Sequence, residues 1–332
     1  MAGRRLGSAR YFGSMSVRAW SLFAAVSTLW GIPYLFIKIG VDGGVPPVLL
    51  AWGRIALAAI VLLGLAVHAG VLRGLRGRWR YVIAYGVIEL SIPFPLIATG
   101  ERYVASSLAA IIIAAVPLLV ALLALRFDDD ERATGHRLVG LVVGLLGVVL
   151  LVGLDASGSL KSLAGAGAIL LAAVGYAGGP LILKRHLIDL DPHATMGASL
   201  AVAAIVLTPL AVLDAPARSP TTGAIAAVLV LGLVCTALAF VLMAVLIAEI
   251  GPGRAVVITY VNPIIAVALG VTLLGEQPGA GAVAGLLLIL AGSWLSTDGR
   301  LPPGLTAAFS RARRGKASTR APAESAIDPA TA

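Results

Sequence analysis

Two charged residues stand where so apolar a chain can least accommodate them. Glu89 lies at the centre of "YVIAYGVIELSIPFPLIA", and Arg54 lies inside "PVLLAWGRIALAAIVLLGLAV". On insertion scales a charge at the middle of a bilayer costs about 2.5–3.5 kcal/mol, so such residues turn to a bundle interior, where they pair or do work. A carboxylate and a guanidinium at comparable depth suit two arrangements. One is a structural ion pair between neighbouring segments. The other is a substrate site in which Glu89 meets an amine or a proton and Arg54 meets a carboxylate. A pair that opens on binding is both, and the sequence leaves the two open. Tyr85 and Pro93 lie four residues to either side of Glu89, which on an α-helix is the same face.

Polar and aromatic residues in other apolar runs extend the candidate site. Trp30, Tyr34, Trp52, Tyr176 and Tyr260 are either plain packing or the lining of a partly polar cavity that stacks or gates a substrate. Asn262 precedes Pro263, so its amide either lines that cavity or caps a backbone group the proline leaves free. Lys38 is read as snorkelling to the interface, and Glu101, Glu249 and Glu276, at segment ends, as solvated. His186 and His193 neighbour Asp189 and Asp191, but a short loop offers no fixed cage of ligands, so neither metal nor cofactor is expected. The sequence contains no Walker A loop, nucleophile elbow or zinc-binding helix motif.

The elements that must position these residues are membrane helices. Of 332 residues 59% are hydrophobic and 12% charged, with mean hydropathy +0.99, whereas soluble domains average about 25% charged. Ten apolar segments are expected: 18–39, 47–69, 81–99, 105–125, 137–154, 163–183, 193–213, 223–247, 253–274 and 278–296. The basic tail at 1–17 and the Pro/Ala/Ser-rich tail at 298–332 are expected to be disordered. The net charge of +9 reads as a topology signal, not as nucleic-acid binding. With both termini in the cytoplasm, 20 of the 25 Lys and Arg fall on the cytoplasmic side and three outside, which the positive-inside rule favours. The lone cysteine, Cys235, excludes an intrachain disulfide.

The chain repeats itself. Pro117 recurs as Pro263, Glu131 as Glu276, Gly140 as Gly285 and Gly147 as Gly292, a shift of 145 or 146. The expected halves are 18–154 and 163–297. Five segments in each half place the second upside down relative to the first, an architecture whose substrate site lies where the repeats meet. Pro117 and Pro263 are the expected hinges. Gly140 and Gly144 suit close helix contact, at an internal seam or a homodimer face, the seam being favoured.

Tryptophan-glycine in the first helix, arginine in the second, proline in the fourth, an acidic hinge and a glycine-rich fifth form a unit that resembles the EamA domain of the drug/metabolite transporter superfamily. The matching residues are Trp30, Gly31, Lys38, Arg54, Pro117, Glu131, Gly140 and Gly147, then Pro263, Gly275, Glu276, Gly285 and Gly292. The first hinge, "FDDDER", departs from the family's usual "GE". The resemblance implies an all-α integral protein of the cytoplasmic membrane, ten transmembrane helices in two inverted repeats, exporting small metabolites such as amino acids without ATP. Protons are the candidate coupling ion and the lipid bilayer the surroundings. The alternatives are a membrane-embedded enzyme or a scaffold without transport activity.

Overall fold

The computed structural model describes residues 16–127, 135–156, 158–251, 255 and 257–296. The readings made for the basic start, the hinge Asp128–Glu131, Arg254 and the tail concern residues outside these.

Among the described residues all regular structure is helical. Eight helices are long and apolar enough to cross a membrane: α1 Val17–Asp42, α2 Pro47–His68, α3 Trp79–Gly100, α4 Ser106–Leu123, α5 His136–Asp155, α6 Leu160–Leu187, α7 Pro192–Leu213 and α8 Thr222–Ile250. Two shorter apolar helices follow, α9 Ile258–Leu274 and α10 Ala280–Ser296, of 17 residues each. At 1.5 Å per residue these cover about 26 Å, slightly less than a hydrocarbon core of about 30 Å. Of the ten segments expected, eight reach spanning length among the described residues and two are shorter there. Gly251, at φ +83°, ends α8 close to where the ninth segment was expected to begin.

The helices begin and end where the sequence punctuates them. Ser16, Ser159, Asp191 and Thr221 each accept a hydrogen bond from an amide of the first turn, the role that favours these residue types at an N-cap. Pro47 and Pro192 sit in first turns, where a missing N–H costs nothing. Prolines deeper in the helices act unequally. Ile32 bends α1 ahead of Pro33, and a tight turn at Ala114–Ala115 interrupts α4 just before Pro117. Pro263, the counterpart of Pro117, sits inside an uninterrupted helix.

Packing follows position in the repeat. Helices that correspond between the halves pack on each other: α2 on α7, α4 on α9 and α5 on α10. Other contacts come in exchanged pairs, α1 on α8 with α6 on α3, and α2 on α8 with α7 on α3. A two-fold relation that swaps the halves produces this pattern. The self-pairs run antiparallel. Gly197, early in α7, meets the backbone of Leu62 and Leu63, late in α2. Gly140, early in α5, meets Gly292 and Ser296, late in α10, and Gly147 meets Gly285.

The glycines of α5 and α10 therefore form an internal seam. A Cβ added at Gly292 would lie 2.5 Å from the Gly140 carbonyl oxygen and the Gly144 Cα. Backbone on both sides leaves no flexible side chain to move aside. Gly292→Val is expected to lower stability by about 1–3 kcal/mol, the usual cost of overpacking. Gly167→Ala, where nothing lies within 4 Å, is expected to stabilise by about 0.5–1 kcal/mol. Thermal unfolding of the two purified variants in detergent checks the contrast.

Candidate functional site

The third helix of each half leaves the α-helical ladder at the same place. π-helical segments run over Gly86–Ser91 in α3 and Val230–Leu238 in α8. A shift of 145 carries Gly86 onto Leu231 and Ser91 onto Thr236. In α3 the Ser91 hydroxyl donates to the Gly86 carbonyl at 3.1 Å, and in α8 the Thr236 hydroxyl donates to the Leu231 carbonyl at 2.7 Å. Each reaches five residues back, to the carbonyl that the i to i−5 ladder of a π segment also addresses. Neighbouring helices press on both segments. The Ser199 carbonyl faces Gly86, and the carbonyl of Arg54 faces Gly232, Arg54 and Ser199 being 145 apart. Short π segments inside α-helices are frequent at functional sites.

Arg54 is held at the second of these segments. It is 8% exposed, and its Nε donates to Thr236 Oγ1 at 2.7 Å. Its guanidinium lies 4.2 Å from the centroid of the Phe94 ring, a cation–π contact. Phe94 in turn meets Tyr176 edge-on at 6.3 Å. Tyr34, Tyr176 and Cys235 all lie within electrostatic reach of Arg54. Sequence reasoning missed Thr236 and Phe94. The signal for Thr236 was available, since the repeat shift lands it on Ser91.

Glu89 does not meet Arg54. No ion pair joins them, because Arg54 is committed to α8 and Phe94 while the π segment turns Glu89 toward α6. The carboxylate lies over Gly179, where any side chain would run into it, and its Oε2 is buried without a hydrogen-bond partner. Gly175 makes the same approach possible one turn earlier, beside Pro93 and the Ile88 carbonyl. Tyr176, on the α6 turn between these glycines, lies within electrostatic reach of both Glu89 and Arg54. Of the residues expected on one face, Tyr85 stays within electrostatic reach of Glu89. Tyr85 packs among Ala66, Leu187, Ala194 and Ala198, while Glu89 and Pro93 face α6.

The remaining candidates gather elsewhere. Trp30 meets Phe240 edge-on at 5.7 Å and shares a cluster with Phe23, Ile258 and Tyr260. The Tyr260 hydroxyl donates to the Ser293 carbonyl at 3.2 Å. Oriented to satisfy its neighbours, the Asn262 amide donates to the carbonyls of Ser27 at 3.0 Å and Ile258 at 2.8 Å, so it bonds backbone at the α1–α9 contact. The Trp52 indole donates to Thr208 at 3.0 Å. The aromatic candidates, read as packing or as the lining of one cavity, lie with Tyr34 and Tyr176 near Arg54, Trp30 and Tyr260 between α1 and α9, and Trp52 at the α2–α7 contact, where it and Tyr176 pack on one apolar cluster.

The family model described as the EamA-like transporter family matches this chain twice, over residues 18–153 and 163–297. The chain belongs to the EamA-like transporter family. It is 30% identical over 258 residues to YedA, named an inner membrane transporter, of Escherichia coli (strain K12), covering 76% of this chain and 81% of that one. It is 28% identical over 293 residues to a protein of Streptantibioticus cattleyicolor named as a probable terminal-alkyne amino-acid exporter, covering 83% and 94%. A solved crystal structure 22% identical to the chain shares its fold, with a TM-score of 0.61 over 84% of this chain and 97% of that one. The resemblance read from the sequence holds, and the protein is a multi-pass membrane transporter of the drug/metabolite superfamily.

The helix ends of this EamA-like transporter differ from expectation in their carboxylates. Glu249 is the expected kind, bonded to Ser16 at 2.6 Å and 3.6 Å from Arg18. Glu276 instead caps α4 of the other half, accepting from the amides of Ser106 at 2.7 Å and Ser107 at 2.9 Å. Burial raises its pKa, but hydrogen bonds from Ser107 and Ser106 outweigh that and hold it below the usual carboxylate value. Glu101, expected in solvent, is 0% exposed, because the close approach of Gly100 and Gly165 seals the end of α3 against α6. Asp191 caps α7 through the amides of His193 and Ala194. His186 stacks on Tyr81 at 3.8 Å, and Arg78 bonds Asp189 at 3.2 Å.

Removing the Thr236 hydroxyl leaves the buried Arg54 Nε without an acceptor. Thr236→Val is expected to destabilise the transporter by about 1.5–3 kcal/mol, the range for hydrogen bonds to charged groups. Thr236→Ser is expected to recover most of that loss, and thermal unfolding of the pair measures it.

Proposed function

We propose that this protein is a secondary carrier of amino acids or closely related zwitterions, working by alternating access and exporting its substrate. In this reading all ten apolar helices cross the membrane as two inverted five-helix repeats, with both termini in the cytoplasm. The observation that carries the substrate class is that buried Arg54 and the buried Oε2 of half-buried Glu89 are not paired with each other. A guanidinium held by one neutral hydroxyl and one ring keeps N–H donors for a carboxylate, which guanidinium groups bind in fork geometry. A carboxylate whose buried Oε2 has no hydrogen-bond partner suits an ammonium. Tyr176, in reach of both, stands where the body of a small zwitterion would lie, with Tyr34 beside Arg54. The name of the Streptantibioticus relative, an amino-acid exporter, supports the same class.

Trp30, Tyr260, Asn262 and Tyr85 are assigned a supporting role in this scheme, around the moving helices rather than at the substrate. The break in α4 before Pro117 and the proline in α9 at Pro263 are the bending points between inward- and outward-facing states. Proton coupling would run through Glu89.

Flux of labelled amino acids in proteoliposomes tests this. Arg54→Ala is expected to weaken uptake of amino acids by about tenfold or more, the equivalent of one lost charge-assisted contact, and to affect decarboxylated amines less. Glu89→Gln is expected to do the reverse, sparing carboxylates that lack the amine, and to abolish pH-driven flux while leaving exchange. Flux that neither substitution changes would overturn the assignment.

A further inference from the structure

Glu101 has no role in the scheme above, yet it is among the most deeply buried charged groups described. It follows the last residue of α3 and is 0% exposed, and neither carboxylate oxygen has a hydrogen-bond partner. The charges around it are committed to other groups. From α1, Lys38 Nζ donates to the main-chain carbonyl of Glu101 at 2.8 Å and lies 3.5 Å from Asp42. From the turn between α9 and α10, Glu276 is occupied by the amides that begin α4. From α2, Arg54 bonds Thr236, and Tyr34 of α1 is also within electrostatic reach.

This end of the bundle is where the halves are tied together. Glu276 caps α4 of the opposite half, the Val48 amide donates to Asp214 at 3.0 Å, and the Thr221 amide donates to the Gly43 carbonyl at 2.9 Å. Each bond joins the first half to the second. Glu101, with Lys38 and Glu276 beside it, thus sits at the end of the bundle that these bonds hold together.

We propose that Glu101 is a proton-binding site in its own right, and that the proton it takes up latches this end of the bundle shut. An ionised carboxylate enclosed without a donor costs several kcal/mol, and the neutral acid avoids that cost. Burial is the largest influence, pushing the pKa of Glu101 well above the usual carboxylate value. Lys38 and Arg54 oppose that shift, while Glu276 and Asp42 add to it. When this end opens and water reaches the group, the pKa returns toward the ordinary glutamate value of about 4.3. Closing therefore binds a proton. The advantage of the closed arrangement is complete below the ordinary value and is lost as pH rises through the raised one.

The inference is independent of the substrate site, since it concerns protonation of the closed protein and needs no flux. Infrared spectroscopy of the full-length protein in lipid nanodiscs reads the C=O stretch of protonated carboxyl groups. At neutral pH, wild type and Glu89→Gln are expected to carry a component that Glu101→Gln lacks, and this component should titrate away as pH is raised. Absence of that component from wild type, or its persistence in Glu101→Gln, overturns the proposal. A second measurement guards against a shifted spectrum. Glutamine mimics the protonated acid, so the thermal stability of wild type should fall relative to Glu101→Gln with rising pH. Parallel pH profiles for the two would also overturn it.

Discussion

Helices that lack side chains along a contact line come close enough for main-chain atoms to touch, and the two halves of this transporter meet on such lines. Gly140, Gly144 and Gly292 join α5 to α10, Gly197 sets α7 on α2, and Gly175 and Gly179 admit the π segment of α3 to α6. In a bilayer no hydrophobic difference between protein and lipid tails drives helices together, so packing of this closeness is what association rests on. The position of each buried charge follows from it. Glu89 has room only because residue 179 is glycine. Arg54 reaches Thr236 because α2 and α8 touch at Gly232, against the carbonyl of Arg54 itself.

The frame is symmetric and the chemistry is not. Ser91 and Thr236 occupy equivalent places and make equivalent bonds five residues back along their helices. Arg54 and Glu89, however, have Ser199 and Val234 as counterparts at the same shift. The duplicated backbone supplies two similar wide turns, and the charges of the candidate site occur in one half. Thr236 connects them, as the second half's hydroxyl serving the first half's guanidinium.

Much of the fold was legible because period and repeat are read directly from residue types. The apolar runs gave the helix order, and the spacing of Pro117, Gly140 and Gly147 from their partners gave the pairing of halves. The π segments were not legible. Gly86–Ser91 reads as an ordinary stretch of α-helix, and no residue type in it announces the wider turn that carries Glu89 against Gly179 of α6. Of the two arrangements that the sequence left open for Glu89 and Arg54, the direct ion pair is not formed. Glu101 was missed for a different reason. Its place at a segment end suggested water, but its burial depends on Gly100 meeting Gly165 sixty-five residues later, a contact that no local pattern encodes. The burial of Arg54, by contrast, was legible from its type and depth alone.

One neighbour of the Arg54–Thr236 bond has a practical consequence. Cys235 is the only cysteine of the chain and is completely buried in the π segment of α8. In this packing its sulfur is screened from water-borne reagents by the same helices that enclose Arg54. The protein thus carries a native chemical reporter at its centre, silent while α2 and α8 stay together. A thiol-specific label needs no engineered background to register their parting.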